Sequence, residues 1–80
     1  MKPEELQEYI KALYIAIDEE ASAMQIVMMT MATAPREKMP KLIEIFMDEN
    51  DHIKIYTDLL IEALTGVLAA APEEAFSPTN

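Results

Sequence analysis

Eighty residues limit this chain to a single domain. It has no cysteine, which excludes disulfides, thiolate metal sites, iron–sulfur clusters and thiol nucleophiles. Fifteen acidic side chains against six basic ones leave a net charge of -9, a balance that disfavours nucleic acid and anionic membrane as partners and favours cations.

The chain opens with a polar, acidic stretch that has no basic region of the kind a secretory signal carries. No apolar run approaches the ~18 residues of a membrane span. Together with the lack of cysteine, this fits a cytoplasmic setting. Pro3 suits the first turn of a helix, and Glu4 and Glu5 behind it favour the positive end of the helix dipole. Apolar residues then recur at Leu6, Ile10, Leu13, Ile17, Met24, Val27 and Met31, alternating steps of four and three, with Glu20 filling the gap between Ile17 and Met24. The spacing predicts a helix over about 3–33 with one apolar seam. Ala34-Pro35 ends it, because a residue before proline is pushed out of the helical region. Residues 34–40 are expected to form a turn containing a short helical piece.

A second seam runs through Leu42, Ile45/Phe46, Glu49, Ile53, Tyr56, Leu60, Ala63 and Val67, predicting a helix over about 41–70 that Gly66 weakens and Pro72 closes. Residues 1–71 thus read as one helical hairpin, and residues 72–80 as a flexible acidic tail. The fold class is all-α: an antiparallel two-helix hairpin. Each helix is expected to be ~45 Å long, and helix 1 carries further apolar residues off its seam (Tyr14, Ile15, Ile26, Met28, Met29), so a lone hairpin cannot cover its own apolar surface. Dimerisation into a four-helix bundle is expected, with a higher oligomer beyond it.

Both seams contain a carboxylate where an apolar residue belongs. Glu49 is followed three residues later by His52, the only histidine, and positions three apart share a helix face. Glu20 supplies a second carboxylate from the other helix. A Glu-x-x-His facing a Glu is the ligand pattern of carboxylate-bridged di-metal sites in bundles. Two copies of the hairpin would offer four Glu and two His, a set that suits iron, with manganese or zinc able to take its place. If the hairpin turns at the midpoint of 20 and 49, the two carboxylates lie at one height; if it turns at 37, they are offset by ~7 Å. Glu19 is the fallback ligand. Unpaired buried carboxylates are costly, which favours a bound metal over glutamates that merely snorkel or set register. Tyr56 serves either beside the metal or in the core. Asp18, Glu19, Asp48 and Asp51 read as a solvated acidic face or an outer route for cations. The clustered methionines Met24, Met28, Met29 and Met31 read as flexible packing rather than a copper(I) site.

The segment Asp48-Glu49-Asn50-Asp51-His52-Ile53 resembles the D-E-x-x-H metal motif of ferritin-like and rubrerythrin-like proteins. Asp18-Glu19-Glu20-Ala21-Ser22-Ala23 resembles their first-helix glutamate with a small residue three positions on. With two helices rather than four, the chain is most similar to the encapsulated ferritins. That resemblance, over about residues 18–60, implies a ferritin-like four-helix bundle formed by a homodimer, with a di-iron ferroxidase centre. Glu20, Glu49 and His52 would be the iron ligands and catalytic residues, and Glu19 would line the cation route. It also implies iron storage or detoxification inside an encapsulin shell. Two departures stand out: Val27 occupies the position where these families often have tyrosine, and Phe76-Ser77-Pro78-Thr79-Asn80 is not a basic-hydrophobic targeting peptide. The alternative is a non-enzymatic helical association module or a degenerate ferritin-like domain.

Overall fold

The computed structural model describes residues 1–70, with side chains through Val67. Two antiparallel helices, α1 (Pro3–Thr33) and α2 (Met39–Ala70), are joined by a single 3₁₀ turn over Arg36–Lys38. The expected tail, residues 72–80, lies outside the described residues. Among the described residues there is no strand, and no helix is long and apolar enough to cross a membrane.

Local chemistry accounts for the helix ends. Pro3 begins α1, where a missing N–H costs nothing, and the Leu6 N–H donates to the Lys2 carbonyl at 2.9 Å to close the first turn. At the other end Ala34 is extended (φ -73°, ψ 149°), as a residue before proline must be. Pro35 is extended as well, and its carbonyl accepts the Lys38 N–H at 3.0 Å to close the 3₁₀ turn. α2 starts at Met39, two residues ahead of the expected 41. Pro40 does not delay it, because first-turn N–H groups have no helical acceptor to lose. Gly66 does not end α2; it sits inside a continuous helix with no positive φ.

The seams meet as their periodicity predicts, but the core is thin. Among the described residues only Leu13, Val27, Leu60 and Ala63 are buried. Leu13, Leu60 and Ala63 form one cluster, with Leu6, Tyr9, Ile10, Ile17, Tyr56 and Leu59 packed around it, in the half of the hairpin away from the turn. Val27 is buried in the half nearer the turn, and Glu20 falls between the two levels. The molecule measures 61 × 26 × 14 Å, so its shortest dimension is a single layer of helices. One layer has no second layer to cover its faces. Ile26, Met28, Met29, Met47, Ile55 and Ile61 therefore each leave more than half of their surface in water.

Candidate metal centre

Glu20 sits mid-way along α1 and Glu49 and His52 in the first half of α2, all on unbroken helix. Their donor atoms, two carboxylate oxygens and one imidazole nitrogen, lie within 4.8 Å of one another. Rigid helices on both sides place the group, so little of its geometry depends on loop conformation.

The helix ends set the levels of the three residues. Glu20 lies thirteen residues before the end of α1 at Thr33, and His52 thirteen after the start of α2 at Met39. His52, rather than Glu49, is therefore the residue level with Glu20. Glu49 is three residues, ~4.5 Å, closer to the connection. The connection centres on residue 36, between the two turn centres considered from sequence, and the carboxylate offset falls between them accordingly. The direction of His52 differs from that of Glu49. Three residues along a helix is 300°, which leaves the imidazole about 60° off the Glu49 line. It stands at the edge of the interhelical groove, 55% exposed, rather than in the core.

His52 Nδ1 lies 3.6 Å from Glu20 Oε2, longer than a hydrogen bond but close enough for ion pairing when the ring is protonated. Glu20 Oε2 is shut off from solvent and accepts no hydrogen bond. A buried carboxylate oxygen that accepts no hydrogen bond carries a desolvation cost. Glu49 responds to the same crowding. Its carboxyl titrates above the ordinary 4.5, chiefly through hydrogen bonding with the Glu20 carboxyl. Desolvation and the negative charges of Glu20 and Asp48 push the same way, and His52 opposes them.

The donor set fits a hard or borderline divalent cation: two oxygens and one nitrogen, with no sulfur. Glu20 Oε2, buried without a hydrogen-bond partner and 3.6 Å from His52 Nδ1, is an acceptor that such a cation would satisfy. Three donors do not complete a coordination sphere of four to six, so the centre is open. The opening is a cleft of about 330 Å³ lined by Glu20, His52, Ile55 and Tyr56. Ile55 drew no attention in the sequence, although its position three residues after His52 puts it on the same flank.

The remaining acidic candidates stand apart. Glu19, Asp18, Asp48 and Asp51 are exposed, and none of them joins the three-donor group. Glu19 is the neighbour of Glu20 in sequence, yet a 100° step carries it away from α2.

No family model matches this chain, and neither do the characterised proteins or solved structures compared with it. The likeness to ferritin-like proteins thus rests on the two short motifs around Glu20 and Glu49.

Proposed function

We propose that this chain is an iron-binding, ferritin-like protein whose di-iron ferroxidase-type centre is completed by a second copy of the same hairpin. The observation that carries the reading is the convergence of Glu20, Glu49 and His52 from two rigid helices, with an unpartnered, buried oxygen at its centre. A single hairpin provides half of the ligand set of a carboxylate-bridged di-iron bundle, and a two-fold partner doubles it.

The surroundings of His52 support the same partner. Ile45, His52 and Leu59 are spaced seven apart and so form one row on α2, with Ile55 beside it. Ile45 and Ile55 are exposed around an exposed imidazole, and an antiparallel copy laid on that row would cover them together. Iron(II) is the substrate: each ion gives up one electron to dioxygen or peroxide and leaves as iron(III), for storage or detoxification. Glu20 and Glu49 neutralise its charge, His52 supplies the softer nitrogen donor, and the acidic exterior raises the local cation concentration. Manganese or zinc would suit the same donors. The setting is cytoplasmic, within a protein shell where one is present, and the surplus apolar surface suits a higher oligomer.

A non-enzymatic association module would use the same apolar surface without the metal. Anaerobic titration of chelator-stripped protein with iron(II) separates the two. Binding at a ratio of one iron per chain, lost in Glu49→Ala and His52→Ala, is expected. Wild-type-like titration in both variants, or no binding by the unaltered chain, overturns the iron reading and leaves the association module.

A further inference from the structure

We propose that Tyr56 belongs to the metal centre and supplies a phenol oxygen to the oxidised, trivalent product. The inference rests on the iron reading and adds a residue that neither motif contains.

Position is the first argument. Tyr56 lies four residues after His52 and seven after Glu49, on the stripe of α2 that faces α1. Long side chains on a helix lean back toward its N-terminus. A Tyr56 ring with that lean would cover the turn that carries His52. The cleft into which the centre opens has Tyr56 as a wall, together with Glu20 and His52.

Packing is the second. Tyr56 is half-buried and packs against the cluster of Leu13, Leu60 and Ala63. An apolar side chain would serve that contact equally well. A phenol adds an oxygen to a residue that lines the cleft.

Donor chemistry is the third. The two glutamates and the histidine leave coordination positions open, and the next side chain lining the cleft with an oxygen is Tyr56. A phenol keeps its proton beside a divalent ion and releases it to a trivalent one, because the higher charge stabilises the phenolate. Phenolate is an established donor to ferric iron. Coordination would therefore accompany oxidation, with the phenol proton passing to solvent and the O–H bond replaced by an oxygen–iron bond. Tyr56 would distinguish product from substrate and hold the product at the cleft.

The test uses the full chain and Tyr56→Phe, which keeps the ring and its core contacts. Both are loaded with iron(II) without oxygen and then exposed to air, and visible absorption and resonance Raman spectra are recorded. The unaltered chain is expected to develop a phenolate-to-iron(III) band, and Tyr14→Phe, altered at an exposed tyrosine on the other helix, to keep it. Tyr56→Phe is expected to lose the band while retaining the iron content and an unchanged zinc(II) titration. A band that persists in Tyr56→Phe, or that is absent from unaltered chain holding iron(III), overturns the role of Tyr56 alone. Failure of the unaltered chain to bind zinc(II) or iron(II) overturns the metal centre, and the inference with it.

Discussion

Glu20 and Glu49 compete for one small volume, and each consequence is measurable at the level of a side chain. The buried Oε2 of Glu20 has no partner. An unsatisfied buried group costs about 1–3 kcal/mol, so Glu20→Met, similar in length and apolar, should raise the stability of metal-free protein by about 1 kcal/mol while removing metal binding. Urea denaturation of the stripped variant checks the first half and metal titration the second; a less stable variant would mean that the carboxylate is satisfied in solution. Glu49 makes a pH prediction. Its folded value lies above 4.5, so folding favours its protonated form. The stabilisation this gives is complete below the ordinary carboxylate value and is lost as pH rises through the raised one. As pH rises from 4.5 through the raised Glu49 value, stripped protein should therefore lose more stability than Glu49→Gln does, whereas metal affinity should rise over the same interval as the proton leaves. Parallel profiles for the two proteins would remove Glu49 from the account. Glu19→Ala should keep the metal and change only the rate of uptake or its salt dependence, since Glu19 is exposed and outside the donor group. Loss of the metal in that variant would mean α1 is rotated by one residue in the assembled protein.

Among the elements, the two helices follow from local rules and their length from the lack of interruption. Four-and-three spacing, Pro3 at the start of α1 and Ala34 before Pro35 were sufficient to delimit α1 at 3–33. Pro40 was the misleading signal for α2: read as part of the turn, it instead lies in the first helical turn, where proline is tolerated. Gly66 is the weak point of α2. A Cβ added there would meet nothing within 4 Å, and the backbone is helical. Gly66→Ala should therefore stabilise the helix by ~0.5–1 kcal/mol through reduced freedom of the unfolded chain, read as a higher denaturation midpoint with an unchanged slope. A destabilised variant would reveal a close neighbour at that position in the assembled protein.

For the whole molecule, a single layer of two helices leaves large apolar side chains in water on more than one side. Chains of this size seldom hold such an arrangement alone. Sedimentation of dilute protein should show a dimer or larger. Ile45→Glu, which places a charge in the row of His52, should weaken that association by roughly 1–3 kcal/mol, about fivefold or more in Kd, and weaken iron binding with it. Iron binding undiminished in a monomeric Ile45→Glu protein would show that one hairpin suffices and would end the shared-centre proposal.

Helix, seam and the presence of carboxylates in an apolar stripe are properties of neighbouring residues, and periodicity exposes them without reference to anything distant. The sequence alone therefore determined an all-helical chain and singled out Glu20, Glu49 and His52 as its unusual positions. What it left open was relative height and direction across the gap between helices. Those depend on how Ala34, Pro35 and the 3₁₀ turn spend the connection, and on the 60° by which three residues fall short of a helical turn. Only the tertiary structure decided that His52 stands level with Glu20, that the imidazole lies at the groove edge, and that one Glu20 oxygen is buried without a partner. Each of these depends on how residues about thirty positions apart are set against one another, which is fixed by the geometry of the turn rather than by any pattern within either helix.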